Sequence, residues 1–155
     1  MKLISESHVD HGLSQRQLSL VLERFGDHRA FFASTFELPP GYGDAPCALV
    51  GPAAGDAAVA DADAYIARRG DRRWLSRCVA RPELPRTRMI TVIGGPHGDE
   101  PCVLYTVYGG PQAPREPGDL ELELRSAAAD RVAGLRAKLA ESIAFWAVHA
   151  LAVVD

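Results

Sequence analysis

The segment that spans residues 90–110 constrains the fold more than any other part of the chain. Two runs of branched and aromatic residues flank a stretch rich in Gly and Pro. Such runs favour β-strands, and Gly and Pro between them favour a turn. The segment therefore predicts a β-hairpin whose end carries His97, Asp99 and Glu100.

Patterns elsewhere predict an α+β domain. Ser14 and Gln17 have the spacing of a capping box, and the apolar stripe after them predicts a first helix that ends at Gly26. Consecutive strands on short connections favour antiparallel pairing. We expect an N-terminal helix, an antiparallel sheet of four to five strands and one or two C-terminal helices. The strands are predicted at residues 29–38, 47–50, 72–80, 87–93 and 103–108, a short helix near 61–69, and the last helices at 126–140 and 142–152. Residues 109–119 are rich in Gly and Pro and are predicted to be irregular.

Length and composition indicate one domain over residues 1–155, in a cytoplasmic protein. No apolar run approaches the ~20 residues that cross a membrane, so we expect no membrane contact. The first residues lack the apolar stretch of a secretory signal. The three cysteines are far apart in sequence and form no CxxC pair, which predicts reduced, mostly buried thiols.

Charge is unevenly distributed along the chain. The net charge is −3, which does not suggest a general polyanion binder, yet residues 68–88 carry +6 and the remainder −9. A local basic strip can hold a phosphate or a carboxylate. An Arg-rich composition from a GC-rich coding sequence is the alternative explanation. Within the strip, Arg73 and Arg77 lie four residues apart on a predicted strand and therefore share one face.

Two histidines near the N-terminus form a second candidate site. His8 and His11 are three residues apart and precede the first helix. Imidazole titrates nearest neutral pH, so either residue can transfer protons or bind a metal. A zinc site needs more ligands, which His97 and a carboxylate from Asp99 or Glu100 could supply if the hairpin reached them. Solvated loop residues are the third explanation.

Hydroxyl groups recur on the last predicted strand of the hairpin. Period-two alternation puts Thr106 and Tyr108 on one face and Tyr105 on the other. A pair of hydroxyls on one face can donate hydrogen bonds to a phosphoryl oxygen. Strand propensity with partial burial explains the same residues without a ligand.

The order of these features resembles that of a known family. A segment with His and Gly precedes a helix, strands with Arg on a middle strand follow, and a late strand reads Tyr105-Thr106-Val107-Tyr108. Over about residues 8–110 the chain resembles the barnase–EndoU–colicin–RelE group of small metal-independent ribonucleases. The acidic net charge, Gly109-Gly110 and the predicted C-terminal helices depart from that pattern.

The resemblance implies an RNA substrate, no metal or other cofactor, and attack of the ribose 2′-OH on the adjacent phosphate. His8 or His11 would be the general base or acid, Arg73 or Arg77 would bind the phosphate, and Thr106 and Tyr108 would orient its oxygens. We assign substrate binding at the hairpin end to His97, Asp99 and Glu100. An ordinary exposed turn that happens to contain charge explains the same residues without a substrate.

Two other functions stay open from the sequence. One is a metal-dependent hydrolase that uses the cluster of His8, His11 and His97 with a nearby carboxylate. The other is a non-enzymatic α+β module that binds a small ligand or a partner. A homodimer through the predicted C-terminal helix, with Phe145, Trp146 and Leu151 on its face, is a further expectation. The sequence contains neither HExxH nor GxxxxGK[ST], which argues against a zinc protease and a nucleoside triphosphatase.

Overall fold

A computed structural model describes the backbone of residues 2–3, 12–56, 63–69, 72–81 and 83–154. It describes the side chains of residues 12–56, 78–79 and 83–152. His8 and His11 lie outside the described residues, and Arg73 and Arg77 lie on described backbone.

Helices and strands are both abundant, which confirms the α+β class. The helices are α1 (Gln15–Phe25), α2 (Pro117–Arg125) and α3 (Ala129–Trp146). The strands are β1 (Lys2–Leu3), β2 (Phe32–Glu37), β3 (Ala45–Pro46), β4 (Leu49–Val50), β5 (Asp63–Arg69), β6 (Arg72–Arg81), β7 (Arg86–Thr87), β8 (Met89–His97), β9 (Glu100–Gly109) and β10 (Ala150–Val154). No helix in the described ranges is both long enough and apolar enough to cross a bilayer.

The described strands form two four-stranded sheets and a two-stranded ribbon, where the sequence predicted one sheet. The first sheet has the order β1-β9-β8-β2, the second has the order β4-β10-β6-β5, and β3 pairs with β7. Most neighbours are antiparallel, but β1 runs parallel to β9 and β10 runs parallel to β6. Both exceptions bring a strand near one chain terminus to a distant partner, which local sequence patterns do not encode.

Helix α1 covers one face of the first sheet. Its capping box is present as predicted, with the Ser14 hydroxyl accepting from the Gln17 N–H and the Gln17 side chain accepting from the Ser14 N–H. Phe25 stacks on Phe32 at a ring-centroid distance of 5.5 Å, and it also contacts Phe36. The buried core between helix and sheet consists of Leu13, Val21, Phe25, Phe36, Leu38, Ala45, Ile90, Val92, Leu104 and Val107.

The C-terminal third differs from the predicted pattern. Helix α3 runs through residues 129–146 without a break, and residues 150–154 form strand β10 instead of the end of a helix. The β-branched pair Val153-Val154 favours a strand, and β6 supplies a parallel partner from residue 78 onward. Helix α2 begins at Pro117 inside a segment predicted to be irregular, and β5 occupies the predicted helix at 61–69.

Candidate functional site

The β8–β9 hairpin is present as predicted, and its end is exposed. His97 pairs with Glu100, so Gly98 and Asp99 form the turn between the strands, with Gly98 at a φ of 58°. The Tyr105 hydroxyl donates a hydrogen bond to the Pro96 carbonyl, which ties the turn to β9. His97 and Asp99 are exposed and Glu100 is half-buried, so this end of the hairpin presents its polar groups to solvent.

The end of the hairpin lies far from the hydroxyl pair on the same strand. Glu100 begins β9, and Tyr108 lies eight residues further along it. At about 3.3 Å per residue the separation is about 25 Å. His97, Asp99 and Glu100 therefore do not share a site with Thr106 and Tyr108.

Thr106 and Tyr108 occupy neighbouring rows on the sheet face opposite α1. Tyr108 pairs with Thr91 on β8, and Thr91 pairs with Thr35 on β2. The Thr35 and Thr91 hydroxyl oxygens are 2.9 Å apart. Thr106 pairs with Ile93 in the next row. Three hydroxyl groups from three strands thus form one row, with Thr106 beside it.

Hydrogen-bond geometry fixes the direction of the Thr91 and Thr35 protons in this row. The single proton of the buried Thr91 hydroxyl goes to the Gly110 carbonyl at 2.8 Å. Thr35 must therefore donate to Thr91. The Tyr108 oxygen in turn accepts from the Ala113 N–H at 3.0 Å.

Burial raises the pKa of the Tyr108 phenol above its ordinary value of 10.0, and the hydrogen bonds with Ala113 and Thr91 oppose this shift without cancelling it. Tyr108 is thus protonated at neutral pH, so it can donate a hydrogen bond and is not a base. The Thr106 hydroxyl lies in the next row, outside the hydrogen bonds of Thr35, Thr91 and Tyr108.

The second sheet approaches β9 near Tyr108. Cys47 forms a bridge to Gly109, the residue after Tyr108. Two residues later, Leu49 on β4 pairs with Leu151 on β10, and Leu151 pairs with Cys78 on β6. Two strand spacings separate Leu49 from Cys78, or about 10 Å.

Of the two predicted phosphate-binding arginines, Arg77 lies nearer to Tyr108. Arg77 adjoins Cys78 and therefore lies at the part of β6 that the bridge through β4 and β10 connects to Gly109. Arg73 lies four residues further along β6, or about 13 Å. The two positions share one face of an unbroken strand, as predicted, but they lie at different distances from β9.

Both described flanks of the histidine segment lie along the same stretch of β9. Leu3 on β1 pairs with Leu104, and because β1 is parallel to β9 the chain leaves Leu3 in the direction of Tyr108. At the other flank, the Cβ position of Gly12 lies 3.1 Å from the Pro46 ring, and the Pro46 carbonyl packs against Gly109. The described residues on either side of the histidine segment therefore lie beside Leu104 and near Gly109.

Two arginines of the basic strip have structural partners. Arg86 donates to the Asp44 carbonyl at 2.7 Å. Arg88 donates to the Leu38 carbonyl at 2.7 Å and lies 3.3 Å from the Glu37 carboxylate. These contacts explain part of the basic strip without a ligand.

The residues predicted for a dimer face are engaged within the chain. Trp146 is buried and donates to the Pro114 carbonyl. Phe145 stacks on His149 at a centroid distance of 3.8 Å, and Leu151 lies on β10. Within the described residues, no group of three or more His, Cys, Asp and Glu side chains could hold a metal ion.

Sequence patterns missed the hydroxyl row and His149. In the sequence, Thr35 and Thr91 are typical of ordinary strand residues. They lie in one row with Tyr108 because of the register of three strands. His149 is buried, accepts from the Ala53 N–H at 2.9 Å through Nε2, and contacts the Phe145 carbonyl through Nδ1. These two contacts hold the segment after β4 against the end of α3, which gives His149 a structural role.

Comparisons with protein-family models, with curated proteins and with solved structures found no match to this chain.

Proposed function

We propose that this protein is a metal-independent ribonuclease-like phosphodiesterase with its site at the carboxyl end of β9. One observation carries the proposal. Leu3 and Gly12 flank the histidine segment. Leu3 pairs with Leu104 on β9, and Gly12 contacts Pro46, whose carbonyl packs against Gly109. These contacts support a site in which the histidines act beside Thr106 and Tyr108.

Each residue has a role that follows from its chemistry. The ribose 2′-OH attacks the adjacent phosphorus, the bond to the 5′-oxygen breaks, and the product is a 2′,3′-cyclic phosphate. His8 or His11 accepts the 2′-OH proton, and a protonated histidine gives a proton to the leaving oxygen. Arg77 stabilises the negative charge that develops on the phosphoryl oxygens.

The Thr106 and Tyr108 hydroxyls have different roles. Thr106 donates to a phosphoryl oxygen, since it lies beside the row without belonging to it. Tyr108 accepts a hydrogen bond from the Ala113 N–H and so holds the residue 110–113 loop in place. Tyr108 is thus a positioning residue, and Thr106 is the group that touches the substrate.

Paired substitutions on β6 test the placement of the site. Arg77→Ala should lower kcat/KM for RNA cleavage by about 100-fold, the size of effect expected for a group that stabilises transition-state charge. Arg73→Ala is the matched control, because it removes the same side chain about 13 Å further along the strand, and it should change the rate by less than about threefold. Equal losses in both variants would contradict the assignment of Arg77.

A second substitution isolates the Thr106 hydroxyl. Thr106→Val keeps the shape and β-branching of the side chain and removes its donor, so the fold should persist while kcat falls about tenfold, the loss of roughly one hydrogen bond. Circular dichroism and the melting temperature check the fold. An unchanged kcat in a folded Thr106→Val protein would remove Thr106 from the mechanism.

A further inference from the structure

Strand β2 forms an open edge of the first sheet. In the described part of the chain no strand pairs with its outer side. The Leu38 N–H donates to the Arg88 carbonyl at 2.7 Å, which makes the even-numbered residues of β2 the ones whose backbone groups face β8. The backbone groups of Ala33, Thr35 and Glu37 therefore point outward.

This edge lacks the usual protection against pairing. Proteins guard exposed edges with lysine, proline, bulges or inward-pointing charges. Strand β2 reads Phe-Ala-Ser-Thr-Phe-Glu, has an uninterrupted register with β8, and carries its one charge at its last residue. The strand is thus a template for another extended segment.

Two complementary surface features flank the strand. Phe31, immediately before β2, is 68% exposed. An open depression of about 370 Å³ lies at the other end of β2, and Met89, which is 41% exposed, contributes to it. The depression is lined by Thr35, Phe36, Glu37, Thr87, Arg88 and Met89.

The spacing of these features matches a two-fold axis at Ser34. Phe31 lies three residues before Ser34 and Glu37 lies three residues after it. If Ser34 faces Ser34 of a second copy in an antiparallel pair, Phe31 of each copy faces Glu37 of the other. Alternation puts positions 31 and 37 on the same face of the strand, so each Phe31 would cover the other copy's depression.

Backbone hydrogen bonding agrees with the same register. With Ser34 facing itself, Ala33 of one copy faces Thr35 of the other, and both residues have outward-pointing backbone groups. These residues therefore form hydrogen-bonded pairs, and the two Ser34 residues form a non-hydrogen-bonded pair. In this register the outward-pointing backbone N–H and C=O groups of Ala33 and Thr35 are hydrogen-bonded in both copies.

We propose that the occupant of this edge is a second copy of the chain, which joins two first sheets into one eight-stranded sheet through β2. An interface that uses one surface twice requires a protrusion and a depression at equal distances from the axis, and the β2 edge has both. Contact between the Phe31 ring and the Met89 thioether adds favourable energy. One short strand pair is a small interface, so the dimer is weak and depends on concentration.

Crosslinking tests the register directly. Facing Cα atoms in a non-hydrogen-bonded pair are about 4.5 Å apart, within the range that a disulfide spans. Ser34→Cys should therefore form an intermolecular disulfide under mild oxidation. Thr35→Cys is the matched control. In the proposed register residue 35 faces residue 33 of the other copy, and it would face residue 35 only if the partner strand were shifted by two residues. A crosslink through Thr35→Cys instead of Ser34→Cys would overturn the proposed register.

Sedimentation velocity over a range of concentrations tests the interface itself. The wild-type protein should shift from monomer towards dimer as its concentration rises, and Phe31→Asp should abolish the shift. Leu122→Asp replaces another exposed apolar residue, which lies on α2, and should leave the shift unchanged. A protein that stays monomeric and forms no Ser34→Cys crosslink would overturn the proposal, as would a dimer that Phe31→Asp leaves intact.

Discussion

At the scale of a single residue, Tyr108 belongs to the candidate site and also contributes to the stability of the folded protein. Because burial raises its pKa, the folded protein keeps the phenolic proton at a pH where the unfolded chain, with a pKa near 10.0, has lost it. The contribution of Tyr108 to stability is therefore complete below about pH 10 and is lost as pH rises through the higher folded-state pKa.

Substitution of Tyr108 should expose this dependence. Tyr108→Phe should lower the free energy of unfolding at pH 7 by about 1 kcal/mol, since the Ala113 N–H loses its acceptor. The same variant should lose less stability than the wild type as pH rises from about 9 to about 11.5. Denaturant titrations across that range check both effects, and parallel curves for the two proteins would contradict the burial of the phenol.

Gly51 is a second residue with a measurable role, because it lets the chain pass close to His149. Its φ is 132°, and a Cβ there would lie 2.6 Å from a His149 ring carbon and 2.7 Å from the Val148 carbonyl oxygen. Gly51→Ala should therefore cost about 3 kcal/mol, from backbone strain and overpacking together. Gly55→Ala is the control: its φ is also positive, at 84°, but no atom lies within 4 Å of the added carbon.

Thermal unfolding of the two glycine variants separates these causes. Gly55→Ala should cost about 1 kcal/mol from strain alone. Equal melting temperatures for the two variants would show that the His149 ring moves away from the added methyl group at little cost. That result would contradict the close packing of Gly51 against His149.

At the scale of elements, local signals predicted α1 and the β8–β9 hairpin well. The capping box of Ser14 and Gln17 acts within one helical turn, and a hairpin needs no distant partner. Helix α2 also had a local signal, because Pro is favoured in the first helical position, yet the surrounding Gly and Pro residues predicted an irregular segment. Strand β10 depends on β4 and β6, so its helical spacing misled the prediction.

Helix α3 offers a stability prediction for one element. Gly134 lies in its interior at an exposed position, and the space that an added methyl group would occupy is open. Gly134→Ala should raise the free energy of unfolding by about 1 kcal/mol, since Ala loses less backbone freedom in a helix. Urea unfolding measures the change, and a destabilised variant would contradict the assignment of residue 134 to an exposed helical position.

At the scale of the whole molecule, sequence patterns supplied the residue types of the candidate site without their arrangement. They paired Thr106 with Tyr108 correctly on one face, because two residues on one strand suffice for that inference. They could not separate the hairpin end from the hydroxyl row or place β6 in a second sheet, since strand order arises from contacts between distant segments.

The decisive measurement is cleavage of a mixed RNA pool by the purified protein, with and without EDTA, beside a His8→Ala/His11→Ala variant. We predict cleavage that persists in EDTA, leaves 2′,3′-cyclic phosphate ends, and disappears in the folded double variant. Cleavage lost in EDTA would favour the metal-dependent hydrolase, and cleavage unchanged by the double substitution would contradict histidine catalysis. No cleavage by the wild-type protein would contradict the ribonuclease-like function altogether.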